Sequence, residues 1–257
     1  MSSIMSPGKT TLLLSQSYRP PPLYRQWILV SSGRLSLRMC GLRICRKLSM
    51  NALPLSGGDS PSVIAGEDLV EKDWSFLDEP NHTNDYDMNM DRIVSAGAIA
   101  EDKRVLISMG SEGFVDHIMA TATFSHLLVV HDSLYVLACI KEKHDKVKCW
   151  QGKLIEVPGI WAPFDSVFLY FLPALPFELD KVLSTVANLC SAGAKVVISH
   201  PGGRATLKEQ REQHKDMITW DLPDETTLKN AAAVHKFDMI EFVDDHSFYN
   251  AILQFSG

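Results

Sequence analysis

Short apolar runs alternate with segments of helical period from Lys103 to the C-terminus. Continuous apolar runs are typical of buried parallel strands, and apolar residues three and four positions apart are typical of crossover helices. The pattern predicts five strands at residues 104–109, 127–130, 147–150, 166–172 and 195–199. Strands and helices that alternate in this way indicate an α/β fold built on a parallel sheet.

The predicted helices follow the strands in turn. One begins after Gly113, and one starts near Glu178 and stops at Gly193, where a glycine suits a left-handed cap. The others cover residues 134–143, 205–217 and 226–235. Two last strands, residues 238–243 and 248–254, lie too close in sequence for a helical crossover, so we expect them to pair antiparallel.

The first hundred residues differ from this pattern. Residues 66–102 form an acidic, helix-compatible stretch in which Trp74, Phe76 and Leu77 are the expected anchors, so we interpret it as an N-terminal helical brace or lid. Residues 51–65 are rich in Ser, Gly and Pro without a period, which predicts a disordered linker.

Residues 1–50 contain eight basic residues, many serines and no acid, since the first acidic residue is Asp59. This composition is typical of an organelle transit peptide and favours a chloroplast over a mitochondrion. A basic arm that binds nucleic acid or anionic lipid is the alternative. Without those eight cations the chain holds 17 basic and 31 acidic residues, a net charge near -14 that disfavours nucleic-acid binding.

The cysteines and the hydropathy of the chain indicate its redox compartment and whether it spans a membrane. Cys139, Cys149 and Cys190 are an odd number without the spacing of a metal site, so we expect three free thiols in a reducing compartment. No run of 18 apolar residues occurs, and we expect no transmembrane segment and no metal.

Five motifs stand in a characteristic order along this region. They are VLISMGSEG at residues 105–113, VVHD at 129–132, VKCWQG at 147–152, FDSV at 164–167 and GAKVVI at 193–198. With the final strand pair, they make residues 103–257 resemble the class I S-adenosylmethionine-dependent methyltransferases. The resemblance implies a Rossmann-like, mostly parallel sheet with flanking helices and a C-terminal antiparallel strand pair.

The resemblance also implies a cofactor site for S-adenosylmethionine. Gly110 and Gly113 stand in the glycine-rich loop, Asp132 stands where a carboxylate would bind the ribose hydroxyls, and Gly152 follows the third strand. Asp132 has an alternative use as the N-cap of the next helix. This sequence departs from the family pattern at three places. The family's acid in the first strand's loop is replaced by Ile107 or Ser108, and the larger residues Met109, Ser111 and Glu112 crowd that loop. After Gly152, Lys153 stands where the family has an acid that would accept a hydrogen bond from the adenine amino group.

Two residues are candidates for catalysis. Tyr170 lies near the end of the fourth strand, and His200 follows the fifth, at the edge where ligands of open α/β sheets bind. The alternative is that the residues around Tyr170 form a rigid loop over the sheet, and that His200 lies in a surface turn.

Two functional hypotheses follow. The first is an S-adenosylmethionine-dependent methyltransferase of an organelle that acts on a small molecule or a protein. The second is a non-catalytic protein of the same fold that serves interaction or assembly through a protein partner, because fold alone does not determine function. A nicotinamide-dependent reductase is disfavoured, since residues 110–114 lack the Gly-x-Gly-x-x-Gly pattern.

Overall fold

The computed structural model describes residues 72–78 and 84–257. The predicted transit peptide and linker lie outside the described residues, as does part of the predicted brace. The described residues contain six α-helices, seven strands and four single-turn 3₁₀ helices.

The seven strands form one sheet in the order β3-β2-β1-β4-β5-β7-β6. Their bounds are β1 Arg104–Ser108, β2 His126–His131, β3 Lys148–Gln151, β4 Phe164–Leu169, β5 Cys190–His200, β6 Phe237–Asp245 and β7 Phe248–Phe255. The first five strands are parallel, and β7 pairs antiparallel with both β5 and β6. The predicted fold class and the antiparallel C-terminal pair are thus confirmed.

The helices connect these strands as the periodicity predicts. Their bounds are α1 Asn84–Ala96, α2 Glu112–Thr121, α3 Leu134–Lys143, α4 Leu179–Leu189, α5 Gly203–Gln213 and α6 Glu225–Val234. Helices α1, α2 and α3 contact one another in turn, and α4 contacts α6. The central strands β1 and β4 are buried at residues 105–108 and 166–169, as continuous apolar strands should be.

Two predicted helix ends were wrong. Helix α4 ends at Leu189, and Gly193 lies inside β5 with a φ of +79°. The Ser191 hydroxyl donates to the Phe164 carbonyl and to Asp165 at the start of β4, which commits the chain to the sheet before it reaches Gly193. Helix α5 ends at Gln213, and Met217 lies beyond it, in a turn where its side chain is buried.

Within the described residues, none of the helices is long and apolar enough to cross a membrane. The three cysteines there are free thiols. Burial raises the pKa of Cys149 to about 11 and that of Cys190 to about 12, so both thiols stay protonated near neutral pH. These residues therefore serve packing, as expected for small apolar side chains.

Candidate functional site

The turn after β1 is tight and leads directly into α2. Met109 adopts a left-handed conformation with a φ of +56°, and its N–H donates to the Val130 carbonyl of β2 at 3.0 Å. A Cβ at Gly110 would lie 2.4 Å from Ile107 Cγ2, so only glycine fits there. Ser111 caps α2 by accepting from Phe114 N–H at 3.1 Å.

The side chains of Met109 and Glu112, which were expected to crowd this loop, lie against other parts of the fold. Met109 is buried in the core, and the Glu112 carboxylate forms an ion pair with Lys143 of α3. Ser108 is the last residue of β1, and its buried hydroxyl has no hydrogen-bond partner among the described residues. The Met109 side chain is therefore packed in the core, and the Glu112 side chain is paired with α3.

Asp132 follows β2 and does not cap α3. That role belongs to Ser133, whose hydroxyl accepts from Val136 N–H at 3.1 Å. The Asp132 carboxylate, 3.3 Å from His131 Nδ1, is 45% exposed. It is therefore available to accept hydrogen bonds from a ligand.

His131 lies beneath Asp132 and is completely buried. Its Nδ1 accepts from Ser133 N–H at 2.9 Å, which places the ring proton on Nε2 in this tautomer. Nε2 has no hydrogen-bond partner among the residues described. The end of β2 thus holds one open carboxylate and one buried polar atom without a partner.

The end of β3 supplies an acceptor that sequence reasoning missed. Gly152 donates its N–H to the His131 carbonyl at 3.0 Å and has a φ of +148°. The 3₁₀ turn Leu154–Glu156 returns the Glu156 carboxylate to this point, so that a Cβ at Gly152 would lie 3.3 Å from Glu156 Oε2. Lys153 instead extends over the Phe177 ring, 5.7 Å from its centroid. In the sequence, this acceptor could have been found from the acidic residue three positions after Lys153.

Residues 72–78, which we call the cover segment, lie over the same edge of the sheet. The Asp78 carboxylate accepts from Glu112 N–H at 3.1 Å and from Gly113 N–H at 3.0 Å. Trp74 packs edge-on against His131, with ring centroids 4.9 Å apart. Sequence reasoning identified the anchors of this segment and missed the role of Asp78.

Asp78 occupies an anion position at the N-terminus of α2, where free N–H groups and the helix dipole favour negative charge. Burial nevertheless raises the pKa of the Asp78 carboxyl, opposed by hydrogen bonds from Ser111 and from the Gly113 amide. The carboxylate therefore relies on these donors in place of water.

The two candidate catalytic residues are both buried. The Tyr170 hydroxyl lies 3.2 Å from the Tyr86 hydroxyl and 3.5 Å from Met90 Sδ, and burial raises its pKa well above the ordinary value. His200 Nε2 lies 3.1 Å from Gln210 Oε1, and burial lowers the pKa of His200 to about 4. Tyr170 remains protonated and His200 neutral near pH 7.

The predicted site residues therefore fall into two groups. Gly110, Gly113, Asp132 and Gly152 lie at the carboxyl ends of three adjacent strands, β1, β2 and β3. Tyr170 directly follows β4 and His200 is the last residue of β5, on the other side of β1. The strand order reverses between β1 and β4, and ligands of open α/β sheets bind at such a switch point.

Solved structures that share this architecture include several methyltransferases. The N-methyltransferase NodS of Bradyrhizobium japonicum is 9% identical with a TM-score of 0.51, covering 68% of this chain and 98% of that chain. A second similar structure is a Methanococcus maripaludis protein provisionally described as an S-adenosyl-L-methionine-dependent methyltransferase. It is 11% identical with a TM-score of 0.51, covering 67% of this chain and 86% of that chain.

A third similar structure is a complex between the Haloferax volcanii Trm112 methyltransferase activator and a provisionally described methyltransferase. It is 9% identical with a TM-score of 0.53, covering 65% of this chain and 88% of that chain. No protein-family model and no curated protein matches the sequence. The chain has the class I S-adenosylmethionine-dependent methyltransferase fold.

Proposed function

We propose that the protein binds S-adenosylmethionine at the carboxyl ends of β1, β2 and β3, and that it is a methyltransferase of an organelle. The observation that carries this proposal is the Asp132 carboxylate, which stays uncommitted because Ser133 caps α3. A carboxylate accepts hydrogen bonds from two vicinal hydroxyls, which is what a ribose offers.

The residues around Asp132 fit a nucleoside cofactor. Glu156 offers an acceptor for an adenine amino group beside Gly152, in place of the acid that Lys153 replaces. The amides of Glu112 and Gly113 offer donors for the cofactor's carboxylate. When bound, the cofactor supplies an activated methyl group.

The substrate in this proposal is a small molecule or a protein. The acidic balance outside residues 1–50 disfavours a nucleic acid, whose phosphates it would repel. A protein partner is compatible with this fold, since one similar structure is a complex with an activator protein.

Titration of the full chain with S-adenosylhomocysteine in a calorimeter tests the proposal. We expect saturable binding that weakens at least tenfold in Asp132→Asn, because the amide offers fewer acceptor sites and no charge. Asp102→Asn, an exposed residue in a surface turn, is the matched control and should bind like the wild type. Equal affinities of Asp132→Asn and the control would contradict the role of Asp132.

The non-catalytic alternative rests on the cover segment. Asp78 already holds the two amides that a cofactor carboxylate would use. This alternative predicts no heat of binding at millimolar S-adenosylhomocysteine, a stable protein partner in organelle extract, and no loss of cellular function in Asp132→Ala.

The proposed location is the chloroplast, with the mitochondrion as the alternative, on the basis of the composition of residues 1–50. A fluorescent protein fused behind residues 1–65 should enter plastids in plant cells. Replacement of the eight basic residues by glutamine should keep the fusion in the cytosol. Cytosolic signal from the unaltered fusion would contradict the proposal.

A further inference from the structure

The cover segment contacts each wall of the proposed cofactor cleft. Trp74 packs on His131 at the end of β2, and Asp78 binds the amides at the start of α2. Phe76 packs on Phe171 after β4, with ring centroids 5.8 Å apart. The segment therefore spans the switch point between β1 and β4, where this fold binds ligands.

Phe76 also connects the segment to the C-terminal end of α5 and to His214 beyond it. Its ring stacks on His214 at 4.2 Å between centroids, and its carbonyl accepts from the Gln210 amide at 3.3 Å. Trp74, Phe76 and Leu77 are all buried. These anchors give the segment one defined position over the cleft.

Asp78 and the α2 N-terminus are in direct contact, with no space for a third group. A Cβ at Gly113 would lie 2.7 Å from Asp78 Oδ1, and both carboxylate oxygens accept from the loop amides. A lid that held a cofactor in the cleft would be separated from this loop by the thickness of the cofactor. Asp78 instead takes the place of the cofactor's carboxylate.

The next helix is fixed to the body of the fold by contacts of its own. The Tyr86 hydroxyl lies 3.2 Å from that of Tyr170, and the Arg92 guanidinium lies 4.1 Å from the Phe248 ring centroid. Asn89 donates to the Pro201 carbonyl at 3.0 Å. None of these contacts uses residues 72–78, so α1 can remain in place when the cover segment leaves.

We infer that the cover segment is an intramolecular competitor of the cofactor, with Asp78 as its anionic anchor and Trp74 as its aromatic anchor. This inference rests on the proposed cofactor binding and adds its regulation. The covered and open forms exchange, and only the open form binds. The apparent dissociation constant is then the intrinsic constant divided by the fraction of open molecules. Any partner that draws the segment away raises the affinity for the cofactor.

The double variant Trp74→Ala with Asp78→Asn removes both anchors and tests the inference. Calorimetric titration of the full-length variant with S-adenosylhomocysteine should show at least tenfold tighter binding than the wild type. The matched control is Trp220→Ala with Asp102→Asn, whose side chains are exposed, and its affinity should equal that of the wild type. Asp78→Asn alone keeps the apolar anchors and should show part of the gain.

Each outcome bears on the inference. Tighter binding in the double variant, or binding by that variant alone, supports it. Binding by the wild type that is unchanged or weaker in both cover-segment variants overturns it and leaves the proposed function intact. No saturable binding by wild type or either variant, with thermal unfolding showing that all are folded, overturns both.

Discussion

At the scale of single residues, the choice of Asp132 or Ser133 as the N-cap of α3 decides whether the cleft has a carboxylate free to bind a ligand. Both residue types are good helix caps, so the sequence leaves the choice between them open. The structure gives the cap to Ser133, whose hydroxyl accepts from Val136 N–H. Asp132 is left for another role because its neighbour satisfies the helix.

Ser133→Ala should lower the free energy of unfolding by about 1 kcal/mol, because the helix loses its capping acceptor. Ser184→Ala, in the interior of α4, is the control and should be neutral or slightly stabilising, since alanine has the higher helix propensity. Urea unfolding measures both. A neutral Ser133→Ala would mean that Asp132 takes over as the cap, which contradicts an uncommitted carboxylate.

His200 makes stability depend on pH. Burial lowers its pKa from 6.5 to about 4, so the unfolded chain binds the proton more tightly. The contribution to stability is complete above pH 6.5 and is lost as pH falls toward 4. One pKa unit corresponds to about 1.4 kcal/mol, so the protonation of His200 should lower the wild type's free energy of unfolding by about 2 kcal/mol between pH 7 and pH 5. His200→Gln should lose correspondingly less in urea unfolding at the two pH values, and equal losses would contradict the assignment.

At the scale of elements, the sequence predicts the sheet better than the helix ends. The continuous apolar run at residues 166–172 favours a buried strand, which the structure has at Phe164–Leu169, so the predicted strand extends three residues too far. The short gap between the last two strands excludes a crossover. The end of α4 depends on the Ser191 hydroxyl reaching the start of β4, 26 residues away for Asp165. A contact of that kind leaves no mark on local periodicity.

Gly203 and Gly193 both have positive φ values, +59° and +79°, but only Gly203 is enclosed. A Cβ at Gly203 would lie 2.4 Å from the Phe248 amide nitrogen, whereas none of the described atoms considered lies within 4 Å of one at Gly193. Gly193→Ala should cost about 1–2 kcal/mol of backbone strain. Gly203→Ala adds overpacking against β7 and should cost roughly 3 kcal/mol or more. Equal costs in urea unfolding would contradict the close approach of α5 to β7.

At the scale of the whole molecule, the cover segment is the feature that the sequence could not place. The pattern identifies Trp74, Phe76 and Leu77 as anchors, but nothing local indicates which surface they contact. Asp78 meets Gly113 across 35 positions, and Gln210 meets the Phe76 carbonyl across 134. The positions of Gly110, Gly113, Asp132 and Gly152 at strand ends could be predicted because each follows a strand of a recognisable sheet.

Hydrogen–deuterium exchange of the full chain, with and without saturating S-adenosylhomocysteine, tests cofactor binding and its competition with the cover segment in one measurement. We expect slower exchange in peptides that contain residues 110–113, 131–133 and 151–156, together with faster exchange in residues 72–78. Unchanged exchange at the ends of β1, β2 and β3 would contradict the cofactor site. Slower exchange in the cover segment alongside protection of the cleft would show that the segment closes over the ligand and does not compete with it.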